Sequence, residues 1–309
     1  MHIGLVTDSL AHLPLDEMLA TAAGMGITRV EFGCGNWSSA PHLDRQELLG
    51  GGTARDAFLT KLAAHGLEIS ALNCSGNPLH PGESGARHRA VTSQTIQLAG
   101  LLGVERVVLM SGCPGGPGDA NANWITTSWP PETARILEWQ WKKVLIPYWK
   151  GLVAEAQDAG VARLCLELHG CQNVYNVATL HRLREAVGPV VGANYDPSHL
   201  MWMGADPLAA TRALGDAIYH VHAKDTRIDA GNAAINSLID TVPNERVRDR
   251  AWGYITLGSG HGEGWWREFC VGLKLAGYDD VLSIEHEDPL LPPEEGVRRS
   301  VVVLQGAIL

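Results

Sequence analysis

The chain has 309 residues, 45% apolar and 19% charged, a balance typical of a globular protein with room for one large core. A formal net charge of −10 and the lack of any Lys/Arg cluster argue against nucleic acid as a partner. No apolar run approaches membrane-spanning length, the first residues lack a signal-peptide layout, and the six cysteines contain no CxxC pair, so a reduced cytoplasmic protein is expected.

Residues 2–7 read as a strand and 14–24 as a helix, with Pro14 near its start and Gly24 as its stop. Strands follow at 29–32, 68–73 and 106–110, each trailed by a helix: 54–65, 86–102 and about 137–159. Four more strands lie within 163–169, 190–196, 218–225 and 281–288, with helices near 176–186, 207–214, 264–276 and 293–304. Strand then helix, eight times over, predicts parallel βαβ units closed into one (β/α)8 barrel domain over residues 1–309. No GxGxxG follows the first strand, which weakens a dinucleotide-binding alternative.

Three long connections, 74–85, 111–138 and 225–262, each follow a strand, the side on which such barrels build their sites. Trp129, Trp139, Trp141 and Trp149 have two readings. They wall a sugar, or they pack the fourth helix on the barrel, and the second is favoured.

The last four strand segments are apolar runs that each end in a metal-binding side chain: Glu167, Asp196, His222 and Glu285. Period-two alternation puts Cys165, Glu167 and His169 on one face, then Gly192, Asn194 and Asp196, then His220, His222 and Lys224, then Ser283 and Glu285. Such strand ends converge above a barrel. Burying three carboxylates together without a cation costs several kcal/mol each. Three carboxylates and one imidazole make a hard, oxygen-rich site suited to Mn²⁺ or Mg²⁺, with Co²⁺ and Zn²⁺ open. His199, His169 and Lys224 lie just beyond the ligands in sequence, and His80, Asn77 and His261 lie in loops. These six are candidates for orienting ligands or touching substrate, with a plain loop hydrogen bond as the competing reading for His80 and His261.

At these residues the chain resembles the sugar phosphate isomerase/epimerase superfamily, the xylose-isomerase-like barrels. The resemblance rests on Leu-Glu-Leu-His at 166–169, Asn-Tyr-Asp-Pro-Ser-His-Leu at 194–200, His-Val-His-Ala-Lys-Asp-Thr at 220–226, Ser-Ile-Glu-His-Glu-Asp at 283–288 and Ser-Gly-Asn-Pro-Leu-His-Pro at 75–81, and covers essentially the whole chain. It implies a divalent metal on Glu167, Asp196, His222 and Glu285, substrate contact by His199, and Glu167 with Glu285 as an acid–base pair. The implied reaction is isomerisation or epimerisation of a keto sugar or keto polyol through an enediolate. Glu-Leu-His at 167–169 and the long loop after 225 look more like the inosose dehydratase and C-glycoside-cleaving members, in which His169 is the base of a lyase acting on a 3-keto sugar or glycoside. The resemblance also implies a homo-oligomer, with a small second subunit if the protein cleaves glycosides. No phosphate-cradling glycine loop is evident, so "sugar phosphate" serves as a family label here.

Overall fold

Strands that are covered on both faces read as continuous apolar runs, because helices shield one side and a filled barrel the other. The computed structural model describes all residues, Met1–Leu309. Its elements begin β1 His2–Val6, α1 Leu15–Gly24, β2 Arg29–Gly33, α2 Arg45–Gly50, α3 Gly52–Ala64, β3 Glu68–Asn73, α4 Glu83–Leu102, β4 Arg106–Leu109, α5 Pro131–Trp139, α6 Ile146–Asp158 and β5 Arg163–Glu167. They continue α7 Val177–Val187, β6 Val191–Tyr195, α8 Pro197–Trp202, α9 Pro207–Leu214, β7 Ile218–Ala223, β8 Asp225–Ile228, α10 Ala230–Asn236, β9 Trp252–Ile255, α11 Glu263–Leu275, β10 Val281–Ile284 and α12 Pro293–Ala307. Eight strands close into a parallel barrel in the order β1-β10-β7-β6-β5-β4-β3-β2, the expected architecture, with helices around it. No helix is long and apolar enough to cross a membrane.

Two compact units divide the chain. The first comprises Met1–Glu31, Lys61–Ser70 and Tyr195–Leu309. Here β1 pairs with β10 in register Gly4↔Ser283 and Leu5↔Ile284, and β10 pairs with β7 through Ser283↔His222. Inward positions are small for a steric reason: a Cβ on Gly4 would stand 2.5 Å from Val281 Cγ1 and 3.1 Å from Ser283 Oγ. Outside, Trp266, Phe269 and Leu273 of α11 and Val297, Val301 and Leu304 of α12 are buried at the helical spacing of one apolar stripe.

The second unit comprises Phe32–Thr60 and Ala71–Asn194. The predicted fourth helix is interrupted there. After α5 the chain makes a π-helical stretch, Gln140–Leu145, in which the Ile146 N–H reaches back to Trp141 O, and then enters α6. Pro147 lacks the N–H that an α-helical ladder needs at that turn, which accounts for the irregularity. The stretch aims Gln140 inward, where its Nε2 donates to Pro114 O at 3.0 Å and Asn123 O at 2.8 Å. Trp141 and Trp149 are buried, and Trp149 Nε1 donates to Ser111 O at 3.0 Å, so the packing reading holds for these two. Trp139 is half-buried and Trp129 is 74% exposed.

The elements absent from the sequence reading are α2, all but the end of α5, α8, α10 and the antiparallel pair β8–β9, which sits inside the long connection after β7.

One close approach yields a test in which two effects oppose each other. Gly100 of α4 faces the end of α6, and a Cβ there would meet Ala159 O at 2.1 Å. Helix propensity alone favours Gly100→Ala by about 1 kcal/mol. Overpacking costs about 1–3 kcal/mol and wins here, because backbone cannot step aside as a side chain does. Thermal unfolding should give a lower Tm for Gly100→Ala; an equal or higher Tm contradicts the packing account.

Candidate metal centre

The ligand candidates reach the mouth of the barrel by three local devices. The first is strand register. Ser283 opposite His222 brings Glu285, two residues on, beside the His222 ring, and the Glu285 N–H donates to Ala223 O at 3.2 Å. His222 Nδ1 then lies 3.1 Å from Glu285 Oε2. The second is a helix cap. Asp196 is the N-cap of α8, its Oδ1 accepting from Ser198 N at 2.8 Å, with Pro197 at the first helical position. That cap explains the Asp-Pro-Ser-His run: one turn brings His199 Nε2 to 3.2 Å from Asp196 Oδ2. The third is a salt bridge. Lys224 Nζ stands 3.3 Å from Glu285 Oε2 and 2.6 Å from Glu287 Oε2. Asp196, His222 and Glu285, three of the four expected ligands, each offer an atom within 4.8 Å of the others.

Each resolved charge in this cluster has an opposite charge beside it. Burial pushes the Asp196 carboxyl up, but His199, Lys224 and His222 outweigh it and hold the group below the usual carboxylate range. Burial likewise pushes Glu285 up, and Lys224 with His222 brings it below that range. Burial disfavours the His222 cation, yet Glu31 and Glu285 raise its pKa well above the ordinary value. Burial also opposes the Lys224 cation, and Glu285 with Glu287 outweighs it. The donor set nevertheless fits a divalent cation. It is two carboxylates and an imidazole with no thiolate, and the buried Asp196 Oδ2 has His199 Nε2, 3.2 Å away, as its polar neighbour. An ion here would replace the proton that joins His222 Nδ1 to Glu285.

Sequence reasoning missed Glu31. It sits in β2 between buried Val30 and Phe32 and is itself fully buried. Its Oε2 lies 2.7 Å from His220 Nε2, and both its oxygens lie 3.0–3.1 Å from His222 Nε2. Burial pushes this carboxyl up, but the two histidines overcome it and keep it strongly ionised. Glu31, His220 and His222 are also a set of metal-type donors. Glu31 bonds directly to both histidines, so the three form a hydrogen-bonded triad. A carboxylate inside an apolar strand needs a partner, and that was the signal available in Val-Glu-Phe at 30–32.

The remaining unit-one candidates are held by the β8–β9 hairpin, which the sequence did not reveal. Tyr254 of β9 places its hydroxyl 2.9 Å from His199 Nδ1 and its ring centroid 4.1 Å from Lys224 Nζ. His261 is held by Asp225: its Nδ1 lies 2.8 Å from Oδ1 and its N–H donates to Oδ2 at 2.9 Å. Its ring thus bonds a side-chain carboxylate rather than the loop backbone.

In the second unit Glu167 ends β5, buried, and accepts from Asn194 Nδ2 at 3.3 Å. His169 lies one pleat beyond, half-buried, with Nδ1 2.5 Å from Gly170 O and its ring 6.3 Å from that of Trp37. Asn77 is spent on structure. Its Nδ2 donates to Cys113 O at 2.9 Å, and its Oδ1 accepts from Cys113 N and Leu79 N at 2.8 and 3.1 Å. His80 Nδ1 accepts from Gly82 N at 3.0 Å, the plain loop role.

Residues 19–306 match the family described as the xylose isomerase-like TIM barrel. Over 311 residues the chain is 50% identical to YfiH, an uncharacterised protein of Bacillus subtilis (strain 168), spanning 100% of this chain and 99% of that one. Among solved structures, the probable 3-DHS dehydratase AsbF of Bacillus anthracis superposes with a TM-score of 0.68 at 17% identity, over 99% of each chain. IolI with a bound zinc atom gives 0.68 at 18% identity, over 100% of this chain and 98% of its own. L-ribulose 3-epimerase gives 0.65 at 17% identity, over 99% and 94%. At these identities the structural matches speak to the fold alone.

Asp225 offers a test of how the hairpin is fixed. Its buried carboxylate also accepts from Gly258 N and Gly260 N, both at 3.1 Å, and Thr226 N at 2.9 Å. Asp225→Ala leaves these donors orphaned, at about 1–3 kcal/mol apiece when water cannot reach them. Limited proteolysis should then cut within residues 225–262 faster than in the wild type. Unchanged cleavage there contradicts the anchoring role.

Proposed function

The chain belongs to the xylose isomerase-like TIM-barrel family, and we propose that within it the protein is a divalent-metal-dependent isomerase or epimerase of a keto sugar or keto polyol. The observation that carries this reading is the convergence of Asp196, His222 and Glu285. Glu167, at the end of β5, completes the proposed set as the fourth ligand of the strand-end pattern. The thiolate-free, oxygen-rich group suits Mn²⁺ best, with Mg²⁺, Co²⁺ and Zn²⁺ as alternatives. A fold neighbour with bound zinc and another named as an epimerase support the direction.

The ion, when bound, supplies positive charge for the oxyanion left by removing a proton next to a carbonyl. The chain's own residues do the rest. Glu167 and Glu285 take the proton from one carbon and return one to the sugar, as general base and acid. Glu285 is suited to start ionised, since Lys224 and His222 hold its carboxyl low. His199, fixed between Asp196 and the Tyr254 hydroxyl, presents a defined ring to substrate. Lys224, paired with Glu285 and Glu287, neutralises these carboxylates, and contact with a substrate oxygen is its proposed second role. A homo-oligomer is part of this proposal.

One observation favours a second reading, elimination from a 3-keto sugar or glycoside. The Nδ1 of His169 donates to Gly170 O, which leaves Nε2 as the nitrogen that takes a proton, the tautomer of a general base. A fold neighbour named as a probable dehydratase agrees with it. Both reactions begin with the same proton abstraction, and only the second expels a leaving group.

Proton NMR in D₂O of the Mn²⁺-reconstituted protein with ketohexoses, inosose and 3-keto-glucosides separates the two readings. The proposal predicts exchange at one carbon with a new sugar and no released group. Release of water or an aglycone transfers the protein to the elimination reading. Asp196→Asn should lose both bound Mn²⁺, by elemental analysis, and exchange, by a factor of about 100 or more if the ion stabilises the oxyanion. Full Mn²⁺ occupancy in that variant removes Asp196 from the ligand set.

A further inference from the structure

Glu31 and His220 lie behind the His222 ring and take no part in the chemistry above. We propose that Glu31 is a positioning residue that fixes the His222 ring and its tautomer, so that Nδ1 is presented to the metal. The inference rests on the metal reading of the site and adds a residue that neither strand-end pattern nor ligand spacing identifies.

The argument starts from the two faces of one ring. His222 Nε2 is nearly equidistant from both Glu31 oxygens, at 3.0 and 3.1 Å, while Nδ1 points the other way, 3.1 Å from Glu285 Oε2. An ionised carboxylate only accepts hydrogen bonds. Whatever the state of the rest of the site, the nitrogen facing Glu31 therefore carries the hydrogen. A neutral imidazole has one hydrogen to place, so Nδ1 is left with its lone pair, directed at the Asp196–Glu285 side. Metal binding needs that lone pair, and a carboxylate behind the ring also makes it more basic. Burial makes the choice costly to reverse, because Glu31, His220 and His222 are all closed to water.

His220 keeps Glu31 itself in place. Its Nε2 lies 2.7 Å from Glu31 Oε2, and Ser283 Oγ lies 3.2 Å from the same nitrogen. The rings of His220 and His222 stand edge to face, 5.7 Å apart at 80°, so one carboxylate is gripped from two directions. Glutamine at position 31 would offer an oxygen and an NH₂ of nearly the same shape. The NH₂ can donate to Nε2, which puts the hydrogen on Nδ1 and blocks coordination.

The test is Co²⁺ binding by the full-length wild type, Glu31→Gln and His220→Gln, followed by titration calorimetry and Co²⁺ absorption, with Tm recorded for each. Glu31→Gln should bind Co²⁺ about 10–100-fold more weakly, as expected when the partner of a metal-ligating histidine is lost. His220→Gln, whose amide can still donate to Glu31 in place of the ring, should lose Tm but keep near wild-type Co²⁺ affinity. Equal affinity in wild type and Glu31→Gln overturns the assignment and leaves the metal reading standing; equal weakening in both variants overturns it too, since a general structural role would then suffice. Failure of the wild type to bind Co²⁺ overturns the metal reading and this assignment with it. Should Glu31→Gln not fold, ¹⁵N-histidine NMR of the Zn²⁺-loaded wild type decides: a hydrogen on His222 Nε2 is expected, and one on Nδ1 overturns the assignment.

Discussion

Like charges held close together at the mouth of a barrel set the terms for the surrounding structure. Asp196 and Glu285 bring carboxylate oxygens within 4.8 Å. At that separation two unit charges repel by about 3 kcal/mol in a medium of effective dielectric about 20. Glu31 lies close below, behind His222. Each nearby feature answers this repulsion. His222 is shared between Glu31 and Glu285, Lys224 bridges Glu285 and Glu287, and His199 approaches Asp196. A divalent ion is the economical answer, because one charge of two replaces several side-chain cations and frees Lys224 for other work.

The hairpin β8–β9 follows from the same requirement. Lys224 follows β7 in a buried position, and an ammonium there needs more than carboxylates to be held. Tyr254 supplies a ring face for it and a hydroxyl for His199, so one inserted residue supports two polar groups of the site. Asp225, the next residue after Lys224, ties the far end of the insertion back through the backbone of residues 258–261. The connection after β7 is long because it builds this wall and returns to β10.

The barrel was legible because its signals are local. Apolar runs of strand length alternate with helices stopped by glycine, and the four ligand candidates stand at the ends of such runs. The cap at Asp196 could be read from Asp-Pro-Ser alone. What stayed hidden depends on partners far away in sequence. Glu31 and His220 are 189 positions apart, and nothing in Val-Glu-Phe names the histidines that satisfy the carboxylate. The hairpin strands are four residues each, too short for periodicity to separate them from a loop. Asn77 is a candidate by its place in a loop after a strand; in the structure its amide bonds Cys113 and Leu79, an exchange across two connections that no spacing reveals.

The central claim is that this constellation binds one divalent ion through Asp196, His222 and Glu285, with Glu167. Crystals of the Mn²⁺-loaded protein, measured on both sides of the manganese absorption edge, test it most directly. The account predicts a single strong anomalous peak, about 2.0–2.3 Å from oxygens of Asp196 and Glu285 and from His222 Nδ1. A peak elsewhere, or a site that stays without one at saturating Mn²⁺ while His222 remains bonded to Glu285, would contradict it.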